Sequence, residues 1–313
     1  MTTVLAIGGN SLLRSKEKNS FADQMATLSE TGEPIVELVR RGERVIITHG
    51  NGPQVGFVLL RSYLARHRLP EIPLDAANAQ TQAEIGYMIQ QVLGNLFQEK
   101  GMRQEVVTLV TRVIVDGGDP AFGNPSKPVG PFYTREEAVK LEKELGWCMK
   151  EDAGRGFRRL VPSPQPRAVV EIEEIRKLVS AGVVVIAAGG GGIPVVKENG
   201  MLKGVAAVID KDLASALLAN LLGAERLVIS TAVDRVYLNY GQPDSKPLSV
   251  VDIEALRGYR AENHFPEGSM GPKIDAAIKF LEGGGKEVII TDPSHLLAAL
   301  EGRAGTRIVS RLS

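Results

Sequence analysis

Val4-Leu5-Ala6-Ile7 running into Gly8-Gly9-Asn10 decides the fold, because an apolar run opens at once into residues with almost no side-chain volume. The pattern recurs at Val45-Ile46-Ile47-Thr48 into His49-Gly50-Asn51-Gly52-Pro53 and at Val183-Val184-Val185-Ile186 into Gly189 to Gly192. Val228-Ile229-Ser230-Thr231 reads as a further buried strand. Continuous apolar runs of this kind are strands of a parallel sheet covered on both faces. Open α/β sheets bind ligands beyond the carboxyl ends of their strands. Glycine there lets backbone N–H groups approach an anion closely, and a helix starting directly behind adds a favourable dipole. The chain therefore reads as a handler of small anions or phosphates.

Working outward, Met25, Leu28, Ile35, Leu38 and Val39 give Phe21 to Arg41 a helical period, with Pro34 a point where the helix could divide. Leu74 to Lys100 reads as a long helix with Ile85, Met88, Ile89, Val92, Leu93 and Leu96 on one face. It leads to a strand over Val106 to Val115. Further strand and helix alternation is expected at 183–188, 227–230, 288–291 and 307–310. One stretch breaks the rhythm. Residues 116–164 are dense in proline and glycine, which argues against a continuous sheet strand, yet Phe122, Phe132, Tyr133, Trp147 and Phe157 give the segment something to pack. It is expected to be a small protruding subdomain inserted in a single domain of residues 1–313, of the kind that serves as a lid.

Composition narrows the classes. Lys plus Arg equals Asp plus Glu at 37 each, so no global field recommends nucleic acid or a membrane surface as partner. Cys148 is the single cysteine, which excludes an internal disulfide and suits a reducing compartment; beside Trp147 it is expected to pack. Met1-Thr2-Thr3 leads straight into the first strand, and no window approaches the length of a membrane span, so a cytoplasmic location is expected. The four histidines, at 49, 67, 264 and 295, show no ligand spacing. His49 is expected to anchor its turn by hydrogen bonds rather than act as a base. There is no P-loop, no strand-linked G-x-G-x-x-G and no nucleophile elbow.

Chemistry must then come from lysines, aspartates and backbone amides. Ile209-Asp210-Lys211-Asp212-Leu213 sets a lysine between two aspartates before a helix over Leu213 to Leu222, and Gly268-Ser269-Met270-Gly271-Pro272-Lys273 opens another over Ile274 to Leu281. Phosphoryl transfer needs chiefly positioning and charge neutralisation, which such groups provide. Taken alone, Asp-Lys-Asp also reads as a solvated helix cap.

These stretches, with Ile47-Thr48-His49-Gly50-Asn51-Gly52-Pro53-Gln54-Val55-Gly56, Ile85-Gly86-Tyr87-Met88-Ile89-Gln90-Gln91, Asp119-Pro120-Ala121-Phe122, Pro125 to Phe132, Lys150-Glu151-Asp152 and Val161-Pro162-Ser163-Pro164, resemble the carbamate kinases of the amino acid kinase superfamily across nearly the whole chain. The resemblance implies a three-layer α/β/α sandwich around a mainly parallel eight-stranded open sheet, with a small protruding subdomain over the site and a homodimer. It implies reversible phosphoryl exchange between ATP and carbamate with Mg2+ carried on the nucleotide phosphates, run toward ATP in arginine catabolism. By the same resemblance Gly8, Gly9, Asn10, Gly50, Asn51 and Gly52 hold the carbamate and the transferring phosphoryl group. Lys127, Lys211 and Lys273 neutralise its oxygens; Asp212 organises the lysines and Asp210 assists. Thr231, Val233, Tyr237, Met270 and Gly271 lie on the nucleotide side.

Three departures stand out. Ala6 occupies a position where many amino acid kinases have a lysine, so Lys127 and Lys211 must supply that charge, in the carbamate-kinase manner. Ala232 follows Thr231 where relatives often carry aspartate or glycine. Asn78-Ala79-Gln80-Thr81-Gln82-Ala83-Glu84 is more polar than the usual glycine-rich approach to Ile-Gly-Tyr. A kinase for another small carboxylate, and a catalytically silent nucleotide or carboxylate sensor on the same fold, are the alternatives.

Overall fold

Parallel pairing of the apolar runs builds the central sheet, as seen in a computed structural model that describes residues 1–8, 20–152, 154–266 and 268–311. Its strands are β1 (Thr2–Ile7), β2 (Arg44–His49), β3 (Val106–Thr108), β9 (Val184–Ile186), β12 (Arg226–Ser230), β15 (Val250–Asp252), β16 (Glu287–Thr291) and β17 (Thr306–Val309). They stand in the order β15-β17-β16-β12-β1-β2-β9-β3. Leu5 pairs with Ile47 on one side and Val228 on the other, which puts β1 at the centre. The expected alternation at 307–310 holds only as a strand, because β17 runs antiparallel to β16.

Period-two alternation sorts the sheet into two apolar faces. Val4, Ala6, Ile46, Val185, Leu227 and Ile229 meet one helix layer, made of α5 (Ile172–Ser180), α6 (Lys211–Leu222), α7 (Ile253–Ala261) and α8 (Gly271–Glu282). Leu5, Ile7, Val45, Ile47, Val184, Ile186 and Val228 meet the other, from α1 (Phe21–Arg40), α3 (Leu74–Glu99) and α9 (Leu296–Leu300). The three-layer sandwich follows directly. Pro34 does not divide α1. Ser20 and Asp23 close a capping box at its start, and burial of Leu28, Ile35 and Leu38 outweighs the missing hydrogen bond.

The strand expected over Val106 to Val115 is two strands in two sheets. After β3 the chain leaves the central sheet, and β4 (Arg112–Val115) joins β8 (Pro166–Val169), β10 (Ile193–Glu198) and β11 (Met201–Gly204) in the order β11-β10-β4-β8. The break is held by a side chain. Gln82 accepts from the Thr111 N–H at 2.9 Å and donates to the Thr111 carbonyl at 3.0 Å, which also accepts from the Ile193 N–H at 2.9 Å, so the side chain satisfies the N–H that leaves the central sheet.

The insertion is also more regular than its composition suggests. β5 (Lys127–Tyr133), β6 (Cys148–Glu151) and β7 (Phe157–Val161) form an antiparallel sheet in the order β5-β7-β6, with α4 (Arg135–Leu145) between β5 and β6. Gly130 and Pro131 are accommodated by a register irregularity between Val129 and Tyr133. Val129 and Val161 pack with Val55, Val58 and Leu59 of α2 (Gly52–Ala65), so the insertion rests on that helix. Cys148, expected to pack, is exposed: it opens the outer strand β6, while Trp147 turns to Tyr63 and Tyr133 instead. A small hairpin, β13 (Val236–Leu238) with β14 (Lys246–Leu248), follows β12.

Candidate active site

Chain direction concentrates polar groups at one edge of the sheet. Gly8, Gly50 and Thr231 follow the carboxyl ends of β1, β2 and β12. α6 and α8 precede β12 and β16, which run parallel, so the N-termini of both helices return to this same edge. The N-terminus of α2 joins them directly after β2. Strands earlier in the chain lie on one side of β1 and later ones on the other, so the gap between β1 and β12 is the switch point where such sheets bind ligands.

Here three lysines distant in sequence converge on two aspartates. Asp210 caps α6, its Oδ1 accepting from the Asp212 N–H at 2.9 Å, while its Oδ2 is ion-paired with Lys127 from the insertion. Asp212 is ion-paired with its neighbour Lys211 through Oδ1 and with Lys273 of α8 through Oδ2, the latter at 3.1 Å. Three ammonium groups against two carboxylates leave the cluster cationic. Burial alone would raise the Asp212 carboxyl, but Lys211 and Lys273 overrule it and hold it well below the usual carboxylate range. Burial pushes the Lys211 ammonium down, with Asp212 opposing the push and Lys273 adding to it. Burial also works against Lys273, yet Asp212 and Asp210 outweigh it and raise that group.

The β2–α2 turn forms the other wall. Among the described residues nothing lies within 4 Å of where a Cβ on its Gly52 would stand. His49 is buried; its Nδ1–H donates to the Gly50 carbonyl at 3.1 Å, and burial lowers its pKa to about 4, so it is neutral and anchors the turn as expected. Thr48 Oγ1 meets Ser215 Oγ at 2.6 Å, and Ser215 donates to the Lys211 carbonyl at 2.6 Å, tying β2 to the first turn of α6. Of the glycines at 189–192, expected to approach an anion, the first two instead make room for this wall, while Gly191 meets Ile209 and Gly192 meets Val113. A Cβ on Gly189 would strike the His49 imidazole and one on Gly190 the Asn51 carboxamide, so side chains of the neighbouring turn fill the space they leave.

Among the expected site residues, Lys127, Asp210, Lys211, Asp212 and Lys273 are thus brought into contact, and Gly8, Gly50, Asn51 and Gly52 share their edge. Gly9 and Asn10 lie outside the described residues. Thr231, Val233 and Tyr237 sit together in and beyond the connection after β12, where the Thr231 N–H donates to the Thr291 carbonyl at 2.8 Å and Tyr237 Oη donates to Asp234 at 2.9 Å. Met270 and Gly271 open α8, close in sequence to Lys273. Asn78, Thr81 and Gln82, which sequence reasoning registered only as a departure, prove fully or almost fully buried behind the turn. Their signal was polar residues at helical spacing within an otherwise apolar face. Among the described residues no group of three or more histidine, cysteine or acidic side chains is suited to a metal, and both aspartates are already engaged by ammonium groups. The described donors of this cluster do not by themselves make a resident magnesium site.

Comparison with known proteins bears on the family and the fold. The amino acid kinase family matches over residues 1–292. A carbamate kinase of Pyrococcus horikoshii is 50% identical over 307 residues, covering 97% of this chain and 98% of the relative. One from Clostridium perfringens is 46% identical over 314 residues, covering 99% and 100%. Among solved structures, carbamate kinase from Giardia lamblia bound to AMP-PNP superposes with a TM-score of 0.91 at 43% identity, covering 98% of each chain.

Proposed function

The chain belongs to the amino acid kinase family, and from that premise we propose that it is an ATP:carbamate phosphotransferase, interconverting ATP and carbamate with ADP and carbamoyl phosphate. The observation that carries this reading is the net-cationic cluster of Lys127, Lys211 and Lys273 on Asp210 and Asp212, beside a glycine turn at the switch point of the sheet.

The chemistry asks little else of the protein. A carbamate oxygen is already anionic, so it attacks the γ-phosphorus without a general base. The new O–P bond forms as the bond to the β,γ-bridging oxygen breaks, and ADP leaves. Bringing an anion against an anionic phosphate is the main difficulty. The ammonium groups offset the repulsion, and the two aspartates hold them in place beforehand, so little reorganisation accompanies transfer. Gly8 and the N–H groups of Asn51 and Gly52 receive the small acid, while the Gly50 N–H is held by the Ile7 carbonyl at 2.9 Å and fixes the turn to β1; Gly9 and Asn10 are assigned to the same acid by resemblance. Neutral His49 takes no proton. Thr231, Val233, Tyr237, Met270 and Gly271 face the nucleotide. Magnesium enters as part of the MgATP substrate, on the phosphates. Residues 116–164 act as a lid, the working form is a homodimer in the cytoplasm, and the cellular direction is ATP synthesis from carbamoyl phosphate in arginine catabolism.

The direct test is ATP formation from ADP and carbamoyl phosphate, with ADP release from ATP measured in parallel across a panel of acids. Carbamate should lead, with acetate and bicarbonate accepted weakly, since a pocket built from backbone cannot strongly exclude near-isosteres. Acetylglutamate and aspartate should be rejected, because no arginine adjoins the two glycine turns to clamp an α-carboxylate. Either of these outperforming carbamate would overturn the assignment.

A further inference from the structure

The polar segment of α3 that fits no expected role turns out to join the two walls of the site. Asn51 Nδ2 donates to Asn78 Oδ1 at 3.1 Å and to Thr81 Oγ1 at 2.8 Å. Asn78 Nδ2 donates in turn to the Ala207 carbonyl at 3.2 Å, and Thr81 Oγ1 donates to the Asn78 carbonyl at 2.9 Å. Asn78 and Thr81 are both fully buried.

The direction of every bond in this set is forced. A carbonyl only accepts, so the Ala207 carbonyl requires the NH2 of Asn78 on its side and leaves Oδ1 toward Asn51. The Asn78 carbonyl likewise takes the Thr81 hydroxyl proton, leaving Thr81 Oγ1 as an acceptor. Asn51 must then present its NH2 to both, which orients its carboxamide and spends its two donor hydrogens inside the protein. What the Asn51 residue can offer an anion is its backbone N–H. The far end of the set lies equally close to the chemistry, for Ala207 is three residues before Asp210, with Val208 and Ile209 buried between.

We infer that Asn78 is a positioning residue for phosphoryl transfer, with Thr81 as its support: from α3 it sets the distance between the anion-receiving turn 50–52 and the lysine–aspartate segment 210–212. The inference rests on the kinase reading above. Neither side chain touches a reacting atom. Their effect is on alignment, where a displacement of about 1 Å costs roughly a hundredfold in rate.

The test compares Asn78→Ala, Thr81→Val and Thr81→Ser by steady-state kinetics in the ATP-forming direction and by hydrogen exchange read peptide by peptide. Asn78→Ala should lower kcat about tenfold to a hundredfold while the KM for ADP stays within about twofold, since the nucleotide side is not joined to this set. Exchange should quicken both in the peptide spanning 50–57 and in that spanning 207–213. Thr81→Val should quicken the first alone, and Thr81→Ser, which keeps the hydroxyl, should restore wild-type kcat and exchange. If Asn78→Ala does not fold, Thr81→Val against Thr81→Ser carries the comparison, because valine keeps the shape and removes only the hydrogen bonds. Exchange changes confined to α3, or equal losses in the valine and serine variants, would overturn the inference. A wild-type chain that makes no ATP would overturn the kinase reading, and the exchange pattern would then decide the positioning role by itself.

Discussion

Lys127, carried by the insertion, is ion-paired with Asp210, whose other carboxylate oxygen caps α6. The insertion is therefore tied to the sheet edge by a side chain proposed for catalysis. Lys127→Ala should lower turnover and leave ADP affinity nearly unchanged. Calorimetric titration with ADP beside steady-state rates separates the two. Strong loss of ADP affinity with normal turnover at saturating nucleotide would assign Lys127 to the nucleotide site.

Lys211→Ala and Asp212→Asn should each reduce turnover by about a hundredfold or more, as the loss of one preorganised electrostatic group does. Asp212 holds two ammonium groups, so its amide variant leaves both Lys211 and Lys273 without their shared anion. Circular dichroism should show both variants folded. Near-normal rates in both would contradict the proposed centre.

Gly56 of α2 and Gly130 of β5 touch backbone to backbone, and a Cβ on Gly56 would fall onto Gly130 Cα. Gly56→Ala should therefore push the insertion off α2. Overpacking of this kind costs about 1–3 kcal/mol, and Lys127 would be displaced with the strand that carries it. The expected outcome is a lower thermal midpoint together with lower turnover. Unchanged values of both would mean that the insertion is not seated through this contact.

His49 adds a pH dependence whose sign is fixed by burial. Its pKa falls from 6.5 to about 4 on folding, so between those values the unfolded chain binds the extra proton and stability falls as pH falls. The full effect is about 3 kcal/mol, developed below about pH 4 and absent above pH 7. Urea unfolding at pH 7 and pH 4.5 should show a smaller loss in His49→Gln than in the parent chain. An equal loss in both would show that other groups set the acid limit.

The sheet, its layers and the edge that carries the candidate site were legible in the sequence, because β-branched runs ending in glycine report burial and backbone approach locally. Lys211 and Lys273 were legible as candidates in their helix-start motifs, and Lys127 and Asp210 through resemblance. Their mutual pairing was not, since it depends on α6 and α8 returning to one edge and on β5 reaching across from the insertion.

What the sequence determined by itself was what each short segment prefers: strand, turn and helix start. Tertiary structure alone decided which segments meet. Gln82 breaks the run 106–115 into two sheets by bonding Thr111 from another helix, and Cys148 is exposed because Trp147 takes the place beside Tyr63 and Tyr133. Asn78 looks like a polar intruder on an apolar face until Asn51 and Ala207 arrive on either side of it. The physical reason is range: hydrophobic period and backbone freedom act over a few residues, whereas the partners that satisfy a buried polar group are chosen by the fold.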